Sequence, residues 1–71
     1  MPADRPASPA PQTIAAARKA AAMSQDAAAE LVYVARRTWQ DWEAGKAAMP
    51  PGLWELFEIK TASLKAGSDT V

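Results

Sequence analysis

The chain contains no cysteine and no histidine. Disulfide staples are thereby excluded, together with the thiolate and imidazole groups behind most structural zinc sites and much nucleophilic or general-base catalysis. No apolar run approaches the length that spans a bilayer, so no membrane partner is expected. The Pro-rich N-terminus lacks the apolar core of a signal peptide, which makes a soluble cytoplasmic protein the expectation. Net charge is missing as well: eight Lys and Arg balance eight Asp and Glu. Nucleic-acid-binding domains usually carry a basic excess, so this balance counts against that function unless cations gather locally. Arg36, Arg37 and Lys46 do fall close together. Nothing resembles a phosphate-binding Gly loop, the carboxylates are scattered, and no nucleophile has a recognisable base. The chain is therefore not expected to be an enzyme, to bind a metal or to use a cofactor.

What is present favours helix. Alanine carries much of the apolar content, and three Trp supply bulk that Ala cannot. At 71 residues there is room for one modest core. Residues 1–12 hold Pro2, Pro6, Pro9 and Pro11 among small residues and read as a disordered arm. Arg5 lies in that arm beside Asp4, and a passive tail is favoured over a DNA-touching one. Thr13 is the expected N-cap of a first helix over 14–23, with Ile14, Ala17, Arg18 and Ala21 on one face. Ser24 caps a second helix starting at Gln25, with Asp26 near its positive end. Its buried side is Ala28, Ala29, Leu31 and Val32, and the poor helix formers Val32, Tyr33 and Val34 mark a turn. A third helix runs over 36–44 and stops at Gly45.

Trp39 and Trp42 are three apart, so they share a face and belong to the core. Arg36, Arg37, Gln40 and Asp41 then lie on or beside the opposite face. Pro51 suits the first turn of a fourth helix, in which Leu53, Trp54, Leu56, Phe57, Ile59 and Leu64 exceed what one face requires. Residues 66–71 read as a flexible, frayed tail. The expected product is all-α: a compact four-helix domain over 13–65, with small residues of the first two helices facing large ones of the last two. Two short helices joined by a tight turn at 24–45 are the arrangement that presents side chains to base edges in a major groove.

An Arg in the first helix, then Ser-Gln, an Ala four residues after the Gln, a turn, two polar residues, Thr-Trp and W-E-x-G form a set. In this chain they are Arg18, Ser24, Gln25, Ala29, Arg36, Arg37, Thr38, Trp39, Trp42, Glu43 and Gly45. The set resembles the phage-repressor-like helix-turn-helix family (the Cro and Xre type, lambda-repressor-like in fold), covering 13–45 well and the fourth helix more loosely. The M-P-P-x-L-W-E-L-F segment is similar to that of small phage or prophage regulators.

The resemblance implies roles by position. Gln25 matches a residue that contacts backbone phosphate and braces the recognition helix. Arg36 and Arg37 match base-reading positions, and an Arg fork suits guanine O6 and N7. Asp41 matches a third groove-facing position, able to accept from cytosine but repelled by phosphate. Gln40 is assigned to bases or backbone, and Thr38 and Lys46 to phosphates. Arg18 and Glu43 match a buried ion pair tying the first helix to the third. Two departures stand out. Ala22 and Tyr33 occupy positions where Gly is common, and Tyr33 implies a turn built differently from the usual one. Ala35 replaces the usual Ser or Thr cap, which forfeits about 1 kcal/mol.

The function these residues imply is a sequence-specific DNA-binding repressor on an inverted-repeat operator, acting as a homodimer with the third helix in the major groove. Leu53, Trp54 and Phe57 are the candidate dimer interface; the alternative for them is closure of the domain core. No small-molecule effector is expected. The competing function is a protein-interaction module that keeps the helix-turn-helix frame without DNA binding, favoured by the zero net charge, by Asp41 and by the apolar fourth helix.

Overall fold

Proline opens the first helix. Its fixed φ suits a first helical turn, its missing N–H needs no partner there, and the residue before it is driven to extended backbone. Ala10 is extended (φ −70°, ψ 153°), and its carbonyl accepts from the Thr13 and Ile14 amides at 3.0 and 3.1 Å. Helix α1 accordingly spans Pro11–Ala20. Thr13 is inside it and does not cap it, so the helix expected over 14–23 is displaced toward the N-terminus. Pro11 and Gln12 are helix and not arm. The computed structural model describes the backbone of residues 8–69 and the side chains of residues 8–64. Most of the expected arm, including Arg5, lies outside the described residues.

Helices α2 (Gln25–Leu31) and α3 (Arg36–Ala44) fall where the sequence puts them. Ser24 Oγ accepts from the Ala27 amide at 3.1 Å, and Asp26 sits in the first turn of α2, where a negative charge is favoured. Ala35 stands at the N-cap of α3 and makes no side-chain cap.

The first three helices close in one way. Ala22, Tyr33 and Gly45 have φ of 58°, 63° and 80°. Around each, two amides reach back to free carbonyls: Ala22 to Lys19 and Met23 to Arg18, Tyr33 to Glu30 and Val34 to Ala29, Gly45 to Trp42 and Lys46 to Asp41. This is the Schellman closure, which satisfies the last carbonyls of a helix and needs one left-handed residue. The turn at Tyr33 is therefore not built differently, contrary to the sequence expectation. The closing hydrogen bonds outweigh the left-handed cost at a residue with a side chain.

Helix α4 (Pro51–Asp69) opens at the expected proline, with the Pro50 carbonyl accepting from the Leu53 and Trp54 amides. Its backbone is helical through Asp69, so residues 66–69 of the expected tail are helix, and residues 70–71 lie outside the described residues. Among the described residues there is no strand, and no helix is long and apolar enough to cross a membrane.

The core comprises Ile14, Ala28, Ala29, Val32, Trp39, Trp42, Met49 and Phe57. α3 packs on both α1 and α2, and α4 packs on α2. Alanines at 28 and 29 let the backbone of α2 come close, and the aromatics fill what remains. Trp39 is 5.6 Å from Trp42 and 5.1 Å from Phe57 between ring centroids, and Phe57 stacks on Trp54 at 6.0 Å. This row of rings fastens α4 to α3. Phe57 is 1% exposed and cannot form a dimer interface. Leu53 and Trp54 are half-buried against the same core. Of the three residues assigned to a dimer contact, Phe57 is thus taken up by the core, and the large apolar side chains that α4 exposes among the described residues are Ile59 and Leu64.

Candidate nucleic-acid interface

Burying Trp39 and Trp42 fixes the rotation of α3 about its axis, and that rotation turns Arg36 and Arg37 to the surface. Glu43 holds α3 in place from below. Its carboxylate accepts Arg18 Nε at 2.6 Å and Arg18 Nη2 at 3.1 Å, a paired contact across 25 positions of sequence. It also accepts Trp39 Nε1 at 2.5 Å and Gln25 Nε2 at 3.1 Å. Arg18 spends a further donor on the Met23 carbonyl at 3.0 Å, which ties the end of α1 into the cluster. Burial opposes ionisation of Glu43. The donors Arg18, Trp39 and Gln25 and the charge of Arg18 outweigh it and hold the carboxyl below its ordinary value. The hydrogen bond to Glu43 raises the Arg18 pKa, against its own burial. Arg18 and Glu43 thus form the ion pair that the family resemblance implied, with Trp39 and Gln25 added to it.

Gln25 joins this cluster to the exposed face. Its Oε1 accepts from Gln40 Nε2 at 3.2 Å, so both amides span the contact of α2 with α3. The bracing assigned to Gln25 is present in the structure. Gln40 is half-buried in the same brace. Beyond it, the first turns of α2 and α3 meet at the surface, where Asp26 Oδ1 lies 3.6 Å from Arg36 Nε. Arg37 Nε lies 3.7 Å from Asp41 Oδ1, one helical turn along α3. The side chains of Arg36 and Arg37 are 61% and 81% exposed. Thr38 is half-buried and Lys46 is exposed just past Gly45. The structure therefore brings Gln25, Arg36, Gln40 and the Arg37–Asp41 pair to one side of α2 and α3.

Neither a family model nor a curated protein matches the chain. The site is consequently defined by its geometry.

Two features went unanticipated. The sequence marks Asp26 only as a helix-start charge, yet its carboxylate faces Arg36. Lys60 of α4 donates to the Leu31 carbonyl at 2.9 Å and to Tyr33 Oη at 2.7 Å, with its ammonium 4.1 Å from the centroid of the Tyr33 ring. A cation at the C-terminal end of α2 is favoured by the helix dipole, and the ring face adds attraction. Lys60 lies three residues after Phe57, which is the only sequence signal that it shares a side of α4 with the core. An open groove of about 300 Å³ separates the end of α1 from α4, lined by Ala17, Ala20, Ala21, Phe57, Glu58, Thr61 and Ala62. Its walls are mostly methyl groups and offer no set of converging polar groups.

Proposed function

We propose that this protein is a DNA-binding regulator of the phage-repressor-like helix-turn-helix kind, with α3 entering the major groove and Arg36 and Arg37 reading bases. One observation carries the reading. α3 buries one side through two tryptophans and a braced glutamate, and presents two adjacent guanidiniums at its first turn, beside the first turn of α2. An α-helix fits the major groove, and base contacts come chiefly from the N-terminal residues of the recognition helix. Gln25, at the start of α2, is the side chain that the family resemblance assigns to a backbone phosphate. Repression would follow from occupying a promoter.

A second copy is part of the proposal, because one reading helix covers few base pairs and binds weakly. With Phe57 in the core, the contact between copies is assigned to the exposed apolar residues of α4, Ile59 and Leu64. The two reading helices would then lie about 34 Å apart on an inverted repeat.

The test is a gel-shift titration of the DNA upstream of the protein's own gene. Wild type is expected to bind, and Arg36→Ala and Arg37→Ala each to lose about 1–3 kcal/mol of discrimination between that DNA and an unrelated duplex. Equal binding and equal preference in both variants would remove α3 from the interface. The competing interaction module draws support from the carboxylates beside both arginines, and it predicts no DNA retention even at low salt.

A further inference from the structure

Each guanidinium on the exposed side of α3 has a carboxylate for a neighbour. Asp26 reaches Arg36 from another helix, and Asp41 reaches Arg37 from the next turn of the same helix. Stability does not account for these pairs, because ion pairs this exposed contribute little. The Arg37–Asp41 order also places the cation N-terminal to the anion, the less favoured sense in a helix. Their effect is on the field of the face. Of the three cations assigned to DNA, Arg36, Arg37 and Lys46, two are neutralised at short range, in a chain whose net charge is zero.

Neutralisation acts unequally on the two parts of DNA binding. Attraction to phosphate is sequence-independent and falls when an anion stands beside the cation. Guanine O6 and N7 are uncharged acceptors, so a neighbouring carboxylate repels them far less than it repels phosphate. Both carboxylates approach the Nε edge of their arginine. The Nη end, which donates in parallel to O6 and N7, has no hydrogen-bond partner among the described residues.

We propose that Asp26 and Asp41 are specificity determinants: they suppress phosphate-driven binding and set Arg36 and Arg37 for guanine in G·C-containing half-sites. This rests on the DNA-reading function proposed above. The residues position and screen the two arginines, and the arginines make the contacts.

The experiment uses the full chain and duplexes about 30 base pairs long with randomised centres, which span two half-sites one turn apart. Binding to the unselected pool is measured against salt, and the retained fraction is sequenced. Wild type is expected to bind the pool weakly, with a shallow salt slope, and to enrich centres carrying guanine. Asp26→Asn and Asp41→Asn are each expected to bind the pool about tenfold tighter at about 50 mM salt, with a slope steeper by about 0.9 and a flatter enrichment. Asp26→Glu and Asp41→Glu keep the charge and are expected to stay near wild type in pool affinity, which a purely structural role would not distinguish. If wild type enriches sequences and the Asn variants match it in affinity, slope and enrichment, this inference fails and DNA reading stands. If wild type enriches no sequence at any salt, DNA reading fails and takes the inference with it.

Discussion

Glu43 accepts hydrogen bonds from Arg18, Trp39 and Gln25, and its removal leaves Arg18 with a half-buried, unpaired charge and Trp39 with an unpaired indole N–H. Glu43→Ala is therefore expected to cost about 2–3 kcal/mol, read as the change in urea midpoint, whereas replacing Arg18 and Glu43 together by apolar residues is expected to recover much of it. The same cluster sets an acid limit. The Glu43 pKa is lower folded than unfolded, so its contribution is complete above the unfolded value of about 4.3 and is lost as pH falls through the folded value. Thermal stability is expected to drop below about pH 4, more steeply in wild type than in Glu43→Gln. The left-handed residues give a second pair of predictions. Ala22→Gly removes an unfavourable φ and no described side-chain contact, and is expected to raise stability by about 1 kcal/mol in thermal unfolding. Tyr33→Gly relieves the same strain but loses the Lys60 contacts, worth about 0.5–1 kcal/mol for the cation over the ring, so its gain is expected to be smaller. Equal gains at the two sites would show that the Lys60–Tyr33 contact contributes nothing.

Among the elements, α3 was legible in the sequence because three signals agree on it: tryptophans at helical spacing, polar residues on the other side and Gly45 at its end. α2 was legible from Ser24 and Asp26. The start of α1 was not, because prolines that mark an arm in 1–12 include one, Pro11, that also serves as a first helical residue. The left-handed turn at Tyr33 was missed because a bulky residue argues against that conformation, while the helix closure that enforces it depends on carbonyls and not on side chains. The extent of α4 is not legible because Gly67, near its end, weakens a helix but does not stop this one. Its role was half-read: an apolar excess was evident, but only packing shows that Phe57 faces Trp39 while Ile59 and Leu64 face outward. The uncapped start of α3 is the weak point of the α2–α3 unit. Ala35 already has cap-like backbone angles, φ −73° and ψ 151°. Ala35→Ser is expected to stabilise the domain by about 1 kcal/mol in denaturant unfolding and to leave DNA affinity within a few-fold, because the hydroxyl points at an amide of its own helix. No gain in stability would mean that the first turn of α3 is held by other contacts.

At the scale of the whole molecule, one aromatic core carries two outward surfaces: the polar side of α2 and α3, and the far side of α4 with Ile59 and Leu64. The zero net charge, which argued against nucleic acid at the level of composition, is resolved locally into the Arg18–Glu43 pair inside and the Arg36–Asp26 and Arg37–Asp41 pairs outside. The fold was recoverable from residue patterns, and the i,i+4 spacing of Arg37 and Asp41 is legible in them as well; the pairing of Arg36 with Asp26 needed coordinates, because the two meet only once α2 and α3 have packed. If the exposed side of α3 is the surface that touches DNA, contact with a duplex must register at the amides of α2 and α3. The most direct test is amide chemical-shift mapping of the full chain on titration with the duplex retained in the gel-shift assay. The largest changes are expected at Ser24, Gln25, Arg36, Arg37, Gln40 and Asp41, weakening as salt rises. Changes confined to α4 around Ile59 and Leu64, or no changes at any salt, would contradict contact of α3 with DNA.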